Sequence, residues 1–322
     1  MTPPRFTFFV ELTQEPLVEL FERPEVVEFL SRGGCAVAMG LLDLSADRSA
    51  IVRRLEAAGI PVTAWLLLDD AEGYWLNADN AEHARRRYLQ AMEWAASEGL
   101  RLHRVGLDIE FPRDDGDLLM RSPLRGLLTL LRRRRETARV HAAERAYAEL
   151  VAEIRAGGRA VETYHFPHLL DERAARSTLL RRTLGLVDVR ADAEVLMLYS
   201  SYLGRAVARA YFADAQCIAL GVTGGGVNAG FDREHRRLLS WERLEDDIRA
   251  AAQFTEDVYI FSLEGCVEQH MLERLAAMQW PADDRKRGPA GWRGARRRRD
   301  VFRWFLRAEP LFDRLYPSRS GA

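Results

Sequence analysis

Two acids two residues apart, Asp108 and Glu110, sit in the short apolar run Arg104-Val105-Gly106-Leu107-Asp108-Ile109-Glu110-Phe111-Pro112. Side chains alternate faces along a strand, so Gly106, Asp108 and Glu110 share one face and Val105, Leu107, Ile109 and Phe111 the other. The second face is apolar enough to lie under helices. The first ends in two carboxylates, whose burial is costly unless they line a cavity or bind something. Pro112 stops the run, which puts both acids at the C-terminal end of a strand, where barrel enzymes carry their chemistry. Neighbouring charge and burial would raise the pKa of one acid and keep it protonated for proton donation.

Sorting the other strand ends by the same rule adds Glu11, Asp43, Trp65, Asp69, Tyr164, His165, Tyr199, Asn228 and Glu264. We expect Glu110, Asp108 and Tyr199 to be catalytic, and Trp65, Glu11, Tyr164, His165, Asn228 and Glu264 to bind substrate, with no metal and no cofactor. No lysine lies on any strand, since Lys286 is the only one, so Schiff-base chemistry is not expected. There is no nucleophile elbow and no dinucleotide fingerprint. The Thr223-Gly224-Gly225-Gly226 loop has free amides that could hold an anion, although glycine runs also serve only to turn a chain. Paired carboxylates with aromatic platforms are what glycoside cleavage requires, and Trp65, Tyr74, Trp75 and Tyr199 could supply the platforms.

Gly106-Leu107-Asp108-Ile109-Glu110 resembles the fourth-strand signature of the chitinase-like glycoside hydrolases, in which spaced aspartates lead to Asp-x-Glu. Met197-Leu198-Tyr199-Ser200 is similar to that family's sixth-strand Met-x-Tyr-Asp, and Ile260-Phe261-Ser262-Leu263 sits where the family usually carries a tryptophan. The resemblance implies a barrel fold with Glu110 as general acid. It also implies that Asp108 orients an N-acetyl group and that Tyr199 hydrogen-bonds near the reacting carbon. His103 and Gly106 stand at earlier aspartate positions, Ser200 replaces the sixth-strand aspartate and Phe261 the tryptophan. A second register puts Pro112 at the glutamate position and Glu110 at an aspartate, so two alignments stay open.

The elements needed to position these residues are legible as eight strand-like runs: Phe6–Leu12, Cys35–Leu42, Pro61–Leu68, Arg104–Pro112, Ala160–Phe166, Glu194–Tyr199, Gln216–Val222 and Asp257–Leu263. Most are followed by a helical pattern; Ala81–Ser97, for instance, puts Tyr88, Met92 and Ala95 on one face. Near-continuous apolar strands alternating with helices imply a parallel sheet covered on both sides. Eight units suit a single-domain (β/α)8 TIM barrel, for which about 250 residues is typical. An open doubly wound sheet would show a glycine-rich turn after the first strand, and Glu11-Leu12-Thr13-Gln14 is not one. We expect the barrel over residues 1–280. A helical insertion, Arg113 to Gly158, follows strand 4 and contains Asp114-Asp115-Gly116-Asp117 and the run Arg132–Arg135. Cys266–Met278 reads as one last helix. Residues 281–322 form a basic helical appendage with Arg296–Arg299 and Val301, Phe302, Trp304, Phe305 and Leu306, expected to cap the barrel or dock in a homodimer.

Composition bounds the rest. The 322 residues are 48% apolar and 30% charged with a net charge of -1, so nothing pushes the chain toward nucleic acid or an anionic membrane. Cys35, Cys217 and Cys266 lie far apart in apolar surroundings and are expected as buried thiols. No run reaches membrane-spanning length, and the cytoplasm is the expected address. The expected partner is an oligosaccharide or other small-molecule substrate. A metal-dependent isomerase or phosphodiesterase drawing on Glu11, Asp108, Glu110, His165 and Glu264 is the alternative enzyme, and an inactive glycan- or partner-binding barrel is the third reading.

Overall fold

The computed structural model describes residues 3–112, 133, 136–226, 238–280 and 292–309. Its strands are β1 (Arg5–Val10), β2 (Ala36–Leu41), β3 (Val62–Leu66), β4 (Arg104–Ile109), β5 (Ala160–His165), β6 (Ala193–Met197), β7 (Cys217–Gly221) and β8 (Asp257–Phe261). Each pairs in parallel with the next, and β8 returns to β1, closing the expected (β/α)8 barrel. Every strand leaves the ladder one to three residues before its apolar run ends. Apolar character outlasts hydrogen bonding because the departing segments still bury side chains, Leu68, Leu198 and Leu263 beneath the helices and Tyr199 and Val222 at the barrel mouth.

Alternation divides the sheet as the sequence predicts. Phe8, Val37, Leu66, Leu107, Ile218 and Ile260 face outward into a continuous shell beneath the helices. Phe9, Trp65, Tyr164, Val195, Met197 and Tyr259 face inward and fill the barrel itself. The barrel floor is polar. Glu162, 2% exposed, accepts hydrogen bonds from Arg104 (2.6 Å), Tyr259 (2.9 Å) and Tyr164 (3.1 Å). Gly106 makes room for this, since a Cβ there would lie 2.3 Å from the Tyr164 hydroxyl.

Two sequence expectations are corrected. Cys266–Met278 is not one helix: Leu263–Glu268 and Leu272–Ala276 are separate, divided where His270 adopts φ 54°. Phe111 is not carried to the outer face, because β4 ends at Ile109 and alternation stops with it. Within the insertion the helix Thr137–Ala156 is described; Asp114–Asp117 and most of Arg132–Arg135 lie outside the described residues. Cys35, Cys217 and Cys266 are buried and unpaired.

The helix Trp292–Arg307 packs on the helices His168–Ala175 and Arg205–Arg209. Its anchor is electrostatic. Arg299 and Arg303 donate to Asp171 Oδ1 at 2.6 and 2.7 Å, and the Arg299 guanidinium stands 3.9 Å from the centre of the Tyr211 ring. The Tyr211 hydroxyl donates to the other Asp171 oxygen. Val301 and Trp304 of the same helix point outward. No helix among the described residues is long and apolar enough to cross a membrane.

Replacing one partner of a buried ion network strands the others, so Asp171→Ala should lower unfolding stability by roughly 3–5 kcal/mol. A urea midpoint unchanged from wild type would show that the anchor carries no stability. Gly106→Ala should cost about 1–3 kcal/mol by overpacking against Tyr164. The ring carbons Cζ and Cε2 of Tyr164 would lie 2.8 and 2.9 Å from the added Cβ, so an unfolding midpoint for Gly106→Ala equal to wild type would show that the whole ring moves aside without cost.

Candidate active site

Inward-facing positions of the strands meet in a cavity of about 270 Å³ at the barrel mouth, with Asp108 and Glu110 in its wall. The loop after β3 completes it. Leu76 pairs with β4 through Leu76 N–H to Asp108 O and Glu110 N–H to Leu76 O, both 2.9 Å, which carries Trp75 to the acids. Asn80 holds the loop by donating to Trp75 O (2.8 Å) and accepting from Asn77 N–H (2.8 Å), and the Tyr147 hydroxyl donates to Asn77 O at 3.1 Å. Two asparagines and a tyrosine thus do what a strand ladder does elsewhere: they occupy the backbone polar groups and fix the direction of the chain.

Asp108 is 3% exposed. Its Oδ2 accepts from Trp65 Nε1 at 3.2 Å, while its Oδ1 is buried and accepts nothing from the described residues. Burial pushes its carboxyl well above the carboxylate range, the Glu11 charge adds to this, and the Trp65 bond opposes both. Glu110 is half-buried and is pushed up by burial, then by the charges of Asp108 and Glu11. No basic residue among those described acts on either acid. Asp43 shows the contrast. Burial alone would raise it, but bonds from Arg48 and Ser45 hold it down at about 2, a structural ion pair rather than a site.

Tyr199 lies just past β6 in the cavity wall, and burial with the surrounding carboxylates keeps its hydroxyl protonated. Glu11 lines the cavity and accepts from the Tyr74 hydroxyl. Trp65 and Tyr164 also line it, with the Tyr164 hydroxyl turned down to Glu162. Glu264 stands behind Glu11 in the first turn of the helix Leu263–Glu268, where its Oε1 accepts from Glu11 N–H (3.3 Å) and Gly226 N–H (3.2 Å). Burial pushes it up to about 7 against those bonds. The anion held by the glycine loop is therefore this chain's own carboxylate, and Gly225 leaves the room, since a Cβ there would lie 2.2 Å from Glu264 Cγ. Asn228 lies outside the described residues.

His165 is not brought to the cavity. Odd–even alternation on β5 sends Tyr164 inward and His165 outward, where burial and then Arg173 hold its imidazole down at about 4 and uncharged. Ser200, at the family's aspartate position, likewise turns away and donates to Asp247. Of the two registers left open above, the geometry places Glu110, and not Pro112, in the cavity wall. Phe9, Phe166 and Tyr202 line the cavity without having been singled out, and Met197 and Phe261, noted above only within the resemblance, line it too. Phe9 and Phe261 carried a signal, being inward by alternation two residues before Glu11 and after Tyr259. Among the described residues no group of three or more His, Cys, Asp or Glu is arranged to hold a metal ion.

Acids raised by burial bind protons that the unfolded chain releases, so stability should fall as pH rises. The fall begins near the unfolded value of 4.5 for Glu264, passes through its folded value of about 7, and continues through the raised pKa of Asp108. Asp108→Asn keeps the acceptor for Trp65 and removes the charge. It should be more stable than wild type by roughly 1–3 kcal/mol above about pH 8, and its stability should fall less steeply with pH. Parallel urea-stability profiles for the two proteins would contradict an uncompensated Asp108.

No protein-family model matches the chain, and no curated protein matches it. Similar solved structures include the PgaB (BpsB) glycoside hydrolase domain from Bordetella bronchiseptica, with 9% identity, a TM-score of 0.48 and coverage of 85% of this chain and 98% of that one. A GH18 chitinase from Pseudoalteromonas aurantia has 9% identity and a TM-score of 0.46 over 84% of this chain and 98% of that one. An L-ribulose 3-epimerase has 14% identity and a TM-score of 0.41 over 99% of this chain and 100% of that one. These likenesses assign no activity to the chain.

Proposed function

We propose that the chain is a glycoside hydrolase acting at the barrel mouth on a saccharide, with Glu110 as general acid and Asp108 as its electrostatic partner. The observation that carries this reading is the carboxyl pair at the C-terminal end of β4, facing an aromatic cavity with no basic residue acting on it among those described. A structural ion-pair cluster would need arginines here, and no described arginine acts on either acid. Two adjacent buried carboxyls do not both ionise readily, so near neutrality the pair retains a proton. Glu110, the more open of the two, carries that proton to the leaving-group oxygen. Asp108, with Trp65 donating to one oxygen, stands beside it, and its carboxylate form opposes the positive charge that grows at the reacting carbon. Tyr199 remains a neutral donor beside them, and the rings of Trp65, Trp75 and Phe261 offer faces on which a sugar can stack. The metal-dependent reading loses its one imidazole, because His165 faces the opposite side of the sheet.

Turnover of chromogenic glycosides by the purified chain, N-acetylhexosaminides first, tests this reading. Activity should be unaffected by EDTA. Glu110→Gln should lower kcat by about 10²–10⁴-fold while ligand binding persists. Equal turnover by wild type and Glu110→Gln, or activity abolished by EDTA and restored by a divalent ion, would remove the two-carboxylate mechanism.

A further inference from the structure

The mouth cavity is unusual in what its polar groups lack. Among the described residues lining it, the hydrogen-bonding side chains are acids, tyrosines and tryptophans, with no Asn, Gln, Ser, Thr, His, Lys or Arg. The remaining wall is hydrocarbon and aromatic ring. A sugar recognised through its hydroxyls is ordinarily met by several mixed donors and acceptors. This cavity instead offers excess negative charge inside an aromatic enclosure, the combination that attracts an organic cation.

One atom points to where that cation sits. Asp108 is 3% exposed, Trp65 Nε1 occupies its Oδ2, and its buried Oδ1 has no partner among the described residues. An orphaned buried acceptor in a cavity wall is a position waiting for a donor. A neutral hydroxyl would satisfy its geometry and leave its charge uncompensated. An ammonium would satisfy both, with the rings of Trp65, Trp75 and Tyr199 around it in the same wall. An anionic ligand would set its charge against the Asp108 carboxyl and offer its free oxygen no donor.

We propose that the ligand group seated against Asp108 is a positively charged amine. Resting on the glycosidase reading, this makes the substrate an amino sugar whose nitrogen is free rather than acylated. Asp108 is then the residue that selects it, and Glu110 keeps its proton for the leaving group.

Titration calorimetry on the full-length wild-type chain, below the amine pKa, compares methyl glucosaminide, its N-acetylated counterpart and methyl glucoside, with choline as a cation that is not a sugar. The free amine should bind at least about ten-fold tighter than either neutral sugar. Asp108→Asn should cut that preference, read as the ratio of free-amine to neutral-sugar affinity within the same protein, to about two-fold or less. Choline bound with the same dependence on Asp108, and every saccharide silent, would support the cation site and overturn the glycosidase reading alone. Neutral sugars binding as tightly as the amine to the wild type, or no affinity for either cation, would overturn the proposal even if glycosidase activity is found.

Discussion

Two carboxyl groups at the C-terminal end of β4, in a cavity where no described basic residue reaches them, set the terms for the rest of this molecule. Water would solvate them and an arginine would neutralise them, but neither solution leaves a carboxyl that can hold a proton at neutral pH. Burial and mutual repulsion keep the proton in place, at a cost to the folded state that grows with pH. The barrel must supply that stability elsewhere. It does so through the double packing of its strands, apolar shell outside and aromatic filling inside, and through ion pairs kept away from the mouth.

The placement of charge follows that division. At the floor, Glu162 is matched by Arg104 and two tyrosine hydroxyls, so the lower barrel is electrostatically closed. Around the rim, Asp43 is held by Arg48 and Asp171 by Arg299 and Arg303. Glu264 is met by backbone amides, which blunt its charge without cancelling it. At the mouth, no described basic residue acts on Asp108 or Glu110. A chain with 47 arginines and lysines against 48 acids has no shortage of positive charge, so this is a matter of where the basic residues are directed. The proposed acid chemistry and the proposed seat for a cationic group both draw on this same imbalance.

Local pattern was enough for the architecture. Eight apolar runs separated by helical periodicities specify parallel strands buried on both faces, and strand alternation told which of Gly106, Leu107, Asp108 and Ile109 point inward. The acids of β4, Trp65 and Tyr199 were legible for the same reason: period two is a property of the backbone and does not depend on what lies across the barrel. The alternation also contained a signal that His165 would face away from Tyr164. Chemical type argued for the histidine and geometry against it, and the geometry decided.

What tertiary structure alone decided is whether charges meet partners and how segments beyond the ladder bend. Nothing local says that Glu264 will be capped by the glycine loop, that Trp75 will be laid beside Glu110 by an added pair of backbone bonds, or that Arg299 will find Asp171 from 128 residues away. It also decided that Asp108 would keep an unpartnered oxygen. By itself the sequence determined the barrel, its inward and outward faces and the acids at its mouth, because those follow from periodicity and burial. Pairing, exposure and proton affinity were left to the assembled fold, because they depend on distances between strands that the chain brings together only on closing.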